Sequence, residues 1–113
     1  MWLMTPLGFF SLVEKPEDRI QGTLTIRARA RIDLENLRET YLPSLSPTLS
    51  LTGTDYPHRA TASRQAIGEA IRDFITNDLN YSNFKNEVAA AQGRGRAKVY
   101  GEVWQVLLDL ETL

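Results

Sequence analysis

Residues 23–31 set the tightest constraint on how this chain can fold. Leu24, Ile26, Ala28 and Ala30 alternate with Thr25, Arg27, Arg29 and Arg31. Successive side chains of a strand point to opposite faces, so the segment predicts a half-buried strand, apolar on one side and basic on the other. Such a strand needs neighbours at its edges and a layer over its apolar face. The run Gly8 to Lys15, with Phe9, Phe10, Leu12 and Val13, suits a strand buried on both faces. Pro16-Glu17-Asp18 and Gln21-Gly22 read as turn chemistry between the two strands, which predicts a hairpin.

The covering layer comes from helical periodicity further on. Asp33 is placed to cap a short helix in which Leu34, Leu37, Tyr41 and Leu42 recur, with Pro43 as its stop. Residues 43–57 are rich in Ser, Thr, Pro and Gly and read as a loop, with residues 48–52 as a short edge strand. Tyr56 to Ala62 reads as a further strand. Ser63 is a good N-cap for a helix whose apolar stripe is Ile67, Ala70, Ile71, Phe74 and Ile75. Ser82 or Asn83 opens the last helical region. Gly93 and Gly95 interrupt it, leaving either one kinked helix or two helices meeting near Gly93. Its stripe is Val99, Val103, Val106 and Leu110, joined by Tyr100, Trp104 and Leu107. Strands gather early and helices late. The expected fold is α+β, a small antiparallel sheet with helices packed mainly on one face and a helical C-terminal half, as a single domain over residues 1–113.

Composition narrows the functions. At 113 residues, with 42% hydrophobic and 24% charged side chains, the chain has the balance of a soluble globular protein. A chain of this length buries roughly 65% of its unfolded surface. It has no cysteine, which excludes disulfides, thiolate metal sites and cysteine nucleophiles, and its one histidine, His58, excludes a multi-histidine metal site. No cofactor is implied. The formal net charge of −1 gives no global field toward nucleic acid or an anionic membrane. The apolar N-terminus lacks a basic flank, contains Pro6 and Gly8, and is cut short by Glu14 and Lys15. It reads as buried strand rather than signal peptide or membrane span, and a cytoplasmic, bacterial setting is the expectation.

Several phrases occur together: Trp2 with Thr5-Pro6-Leu7-Gly8-Phe9-Phe10-Ser11, Thr25-Ile26-Arg27-Ala28-Arg29, Thr54-Asp55-Tyr56-Pro57 with Arg59, Asn80-Tyr81-Ser82-Asn83-Phe84-Lys85, and Tyr100 with Val103-Trp104. In these the chain resembles, nearly end to end, a family of small uncharacterised bacterial proteins of similar length. The resemblance implies one domain and a bacterial cytoplasmic setting. It brings no activity, ligand or site residue.

Four polar groupings are candidates for function. Arg27, Arg29 and Arg31 would share one strand face, with Arg59 on a neighbouring strand, as a surface for phosphate, carboxylate or single-stranded nucleic acid. No aromatic interrupts the row, which counts against base stacking. Asp55, Tyr56, His58 and Arg59 cluster at a loop-to-strand junction, where His58 oriented by Asp55 has the makings of a general base. Lys85 lies in the first turn of a helix, where the dipole disfavours a cation, so an external partner is the functional reading. The run from Gly93 to Lys98 looks superficially like an arginine-glycine RNA-binding segment. No catalytic constellation is complete. Binding is favoured over chemistry, as a protein-interaction module with a protein partner or self-association and no membrane role, and nucleic acid as the alternative. The apolar excess of the last helix motivates a homodimer. Trp2 is expected to pack on the fold or on a second subunit, and Trp104 to pack within its helix's stripe.

Overall fold

A computed structural model describes all 113 residues. The elements run β1 (Trp2–Thr5), β2 (Gly8–Val13), α1 (Pro16–Gln21), β3 (Thr23–Ala28), α2 (Arg31–Thr40), β4 (Leu49–Ser50), β5 (His58–Ser63), α3 (Arg64–Asp73), α4 (Phe84–Gln92) and α5 (Arg94–Leu107). A π-helical turn, Phe74–Asp78, extends α3, and a 3-10 turn, Leu108–Thr112, extends α5. The chain divides into two compact units, Met1–Leu79 and Asn80–Leu113. The fold is α+β with a helical C-terminal half. No helix is long and apolar enough to cross a membrane.

The first unit is an antiparallel five-stranded sheet in the order β1-β2-β3-β5-β4. The apolar N-terminus is not one strand but two. Its turn is held by Thr5, whose hydroxyl donates to the Gly8 carbonyl and accepts from the Leu7 and Gly8 N–H groups. The register pairs Leu12 with Ile26 and Ile26 with Ala60, so the apolar residues of three strands share one face. On that face Phe10, Leu12, Ile26, Ala28, Ala60 and Ala62 meet Leu34 of α2 and Ile67 and Ala70 of α3. The alanines of β5 leave room for the helices to come close.

The segment expected to be a turn between β2 and β3 is the helix α1. Pro16 supplies its first residue with φ preset, and Gly22 ends it with φ at 70°, a left-handed conformation that glycine adopts without strain. Asp18 of α1 lies over the polar face: it accepts hydrogen bonds from the hydroxyls of Thr23 and Thr25 and, as in a capping box, from the Lys15 N–H. Asp33 does not cap its own helix, whose N-cap is Ala30. β2 continues two residues past the end of β3, which leaves the Phe9 N–H without a strand partner. Asp33 Oδ2 accepts it at 3.0 Å.

α3 starts where expected, with the Ser63 hydroxyl accepting from the Ala66 N–H at 3.0 Å. Its stripe fails at the end. The π-helical turn inserts an extra residue and rotates the positions beyond it, so Phe74 packs edge-on against Tyr41 while Ile75 is exposed. The same turn brings Asp78 to the Tyr41 hydroxyl, which donates to it. Burial and that bond push the Tyr41 phenol up to about 12.

The second unit is a helical hairpin. Asn83, rather than Ser82, caps α4, accepting from the Asn86 N–H at 3.0 Å. Gly93, at φ 94° and ψ 163°, ends α4 and begins α5, so the last region is two helices. Phe84 stacks on Tyr100, with ring centroids 5.8 Å apart.

Candidate functional site

The arginine row is the first sequence expectation the structure corrects. β3 ends at Ala28, opposite His58. Arg29 leaves the sheet in a bend and Arg31 becomes the first residue of α2. Only Arg27 remains on the strand, with Arg59 directly across from it.

The arginines nonetheless converge with the 55–59 cluster. Tyr56, expected at the start of a strand, precedes β5 and folds back until only 5% of it is exposed. The Arg27 guanidinium lies 4.5 Å from its ring centroid and that of Arg29 5.0 Å, both within cation–π range. The Arg59 Nε–H donates to the Tyr56 carbonyl and the Arg29 Nε–H to the Asp55 carbonyl, each at 3.2 Å. Arg27 donates to the Ser11 hydroxyl at 2.7 Å. The aromatics that the linear pattern withheld from the arginines therefore arrive from elsewhere. Tyr56 comes from the loop, Phe9 stands 6.4 Å from Tyr56, and Trp2 stands edge-on 5.5 Å from Phe9.

Three guanidinium groups in this cluster, those of Arg27, Arg29 and Arg59, have no carboxylate partner; the ion pairs of the unit involve Arg19, Arg31, Arg38 and Arg64. The Nε of Arg27 is buried with no hydrogen-bond partner. Side chains directly opposite on adjacent strands have Cβ atoms about 5 Å apart, where like charges repel. Stacking on Tyr56 and bonding to carbonyls offsets that repulsion while bracing the 51–57 loop onto the sheet.

Arg31 and His58 form a separate group on the helix-covered side. Ser50 Oγ is 2.9 Å from His58 Nδ1, and Arg31 donates to the same hydroxyl at 3.2 Å while pairing with Glu35. Ser50 thus takes the position beside His58 that the sequence pattern gave to Asp55, whose side chain lies exposed. No carboxylate orients the imidazole, so the expected acid–base pair does not form. Lys85 belongs to the second unit. Its stem lies along α5 beside Gly101, where an added Cβ would come within 3.5 Å of its Nζ.

α5 carries a second exposed apolar surface. Ala97 and Tyr100 are buried, but Val99, Trp104, Val106, Leu107 and Leu110 are each more than half exposed, Val106 by 67%. Residues 99, 103, 106 and 110 recur at helical spacing along one side. The apolar excess of this helix is visible in the sequence. The expectation that Trp104 packs internally fails: it is 61% exposed. Apolar side chains exposed next to one another, rather than scattered singly, mark interaction sites on soluble proteins.

No family model, curated protein or solved structure matches the chain.

Proposed function

We propose that the protein is a non-enzymatic interaction module whose outer α5 surface takes a helix of a partner protein. The observation that carries this is the exposed stripe of Val99, Val106 and Leu110, with Leu107 beside it, on a helix already packed on another side. Charge sets the direction in which a partner helix lies. Arg94, Arg96 and Lys98 stand at the start of α5, and Asp109 and Glu111 beyond its end. That is the reverse of the polarity helix dipoles favour, acidic at the start and basic at the end. A partner helix of ordinary polarity laid parallel to α5 along the stripe meets an opposite charge at each end.

The experiment is capture of binding proteins from native lysate, with nuclease treatment, using the parent chain and Val106→Glu. Position 106 is exposed, so the substitution leaves the packing intact. A stoichiometric partner that survives nuclease, crosslinks to α5 and is reduced at least about tenfold by Val106→Glu is expected. Equal capture by both chains overturns the reading. So does an α5-dependent doubling of mass with no foreign partner, since a second copy laid antiparallel fits the same charge polarity.

A second reading is favoured by one specific feature, the Arg27–Arg59 pair without carboxylates beside Tyr56. A phosphate or single-stranded nucleic acid on this face would relieve the like-charge repulsion and find stacking partners in the aromatic row. Binding of a labelled single-stranded oligonucleotide should then weaken steeply with salt. The double substitution Arg27→Gln with Arg59→Gln should lower affinity at least about tenfold. No binding at low salt, or binding indifferent to the two substitutions, removes this reading.

A further inference from the structure

We propose that two copies of this chain pair antiparallel through β1, about a two-fold axis passing between their Leu3 residues, to make one continuous sheet. This goes beyond the α5 reading and stands without it.

The argument starts from the two sheet edges. At one edge β4 is two residues long, Leu49–Ser50, set among Ser, Thr and Gly between Pro47 and Pro57. Shortness and nearby prolines are devices that stop an edge from pairing further. At the other edge β1 reads Trp-Leu-Met-Thr, with no charge and no bulge, and its neighbouring proline, Pro6, lies in the turn beyond the residues a Leu3-centred pairing would use. Trp2 is 65% exposed there.

The register shows which backbone groups of β1 are free. Met1 and Leu12 exchange both of their hydrogen bonds, each at 2.8 Å. Hydrogen-bonded and non-hydrogen-bonded pairs alternate along an antiparallel ladder. Leu3 therefore bonds to Phe10, while Trp2 and Met4, opposite Ser11 and Phe9, turn their N–H and C=O groups outward. Within the first unit nothing else takes up these two donors and two acceptors.

A second β1 fits these groups in one register. With Leu3 facing its own copy, Trp2 of each chain faces Met4 of the other. Trp2 and Met4 are the residues whose backbone groups are outward, so each such pair exchanges two bonds and the dyad makes four. The side chains agree with the backbone. Trp2 and Met4 lie on the same sheet face, so each indole would sit beside a thioether across the dyad, a favourable sulfur–aromatic contact. An isologous contact needs this self-complementarity. An edge-to-edge contact buries little area, so the dimer is expected to be concentration-dependent.

The test uses the full chain and three measurements. Light scattering over a concentration series should show a mass rising from 12.8 kDa toward twice that value. Met4→Pro removes an outward N–H without touching the β1–β2 ladder, and should raise the dissociation constant at least about tenfold with circular dichroism unchanged. Trp2→Lys and Met4→Glu should each weaken the dimer. The chain carrying both should regain it, because the new side chains oppose each other with opposite charge. Amide exchange should slow at Trp2 and Met4 as concentration rises, with Leu3 unaffected. A monomer at every concentration overturns the proposal. A dimer indifferent to Met4→Pro but lost in Val106→Glu also overturns it, and moves self-association to α5.

Discussion

Gly8→Ala is expected to destabilise the first unit by about 3 kcal/mol, combining overpacking with a lost buried hydrogen bond. Gly8 is buried where β2 passes the start of α2. A Cβ built there would lie 2.4 Å from Asp33 Cγ and 2.8 Å from Asp33 Oδ1, distances real atoms do not share. Asp33 has nowhere to go, being 1% exposed. Its Oδ2 also holds the Phe9 N–H at the point where β2 outruns β3. Moving the carboxylate aside therefore uncaps the strand as well as straining α2. For a unit of this size the melting temperature should fall by on the order of 15 °C. Thermal unfolding followed by circular dichroism measures it. An unchanged midpoint would show that the contact between β2 and α2 relaxes without cost.

Asp18→Ala should have a comparable effect, about 3 kcal/mol at neutral pH, for a different reason. Asp18 is 3% exposed and accepts three hydrogen bonds, at 2.6 Å from Thr23 and 2.8 Å each from Thr25 and the Lys15 N–H. Alanine leaves the buried Thr25 hydroxyl without its acceptor and opens the capping box of α1. Burial by itself pushes the Asp18 carboxyl up. The bonds from Thr23, Lys15 and Thr25, with the charge of Arg64, outweigh it and hold the group below its ordinary value. A carboxyl lowered in the folded state stabilises fully above its unfolded value, about 4, and loses that contribution as pH falls through the folded value. The stability difference between parent and Asp18→Ala should accordingly shrink below about pH 4. Denaturant unfolding across the acid range checks this. A difference constant with pH would mean that the carboxylate charge contributes nothing. Asp18→Asn, which keeps one acceptor oxygen, should fall between the two.

Much of the architecture is legible along the chain because it depends on local periodicity. The alternation of Leu24, Ile26 and Ala28 with Thr25 and Arg27 requires a strand with one covered face. Ser63 announces one helix start, Ser82 or Asn83 another, and Gly93 an interruption that is either a kink or a break. The misreadings share a cause. Pro16-Glu17-Asp18 is as compatible with a first helical turn as with a loop, and only the acceptors that Thr23 and Thr25 need decide for the helix. Arg29 and Arg31 continue the strand pattern, but the chain bends away at Arg29 and starts α2 at Arg31, and alternation does not mark where a strand gives way to a helix. Ile75 fits the α3 stripe until the π-helical turn rotates it outward. Nothing in the local spacing marks that insertion.

The site is legible in its residues but not in its grouping. Arg27, Arg29, Arg59 and Tyr56 all stand out in the sequence, and the first unit brings all four together. That Tyr56 is buried between guanidinium groups is not readable there, because the two segments lie more than 25 residues apart, Arg29 bonding to the Asp55 carbonyl across that separation. The pairing of His58 with Ser50 has the same origin, since β4 and β5 become neighbours only in the sheet.

The order of apolar and polar residues is enough to require an α+β fold, because the free energy of burying alternate side chains acts over a few residues and is written into the chain locally. Edges are not. Whether a strand lies inside a sheet or at its rim depends on partners from distant segments, so β1 and β4 become edges only in the assembled sheet. The outward backbone groups of Trp2 and Met4, and the exposed side of α5, exist as surfaces for the same reason: a chain can specify which residues are apolar, but only packing selects which of them find a neighbour.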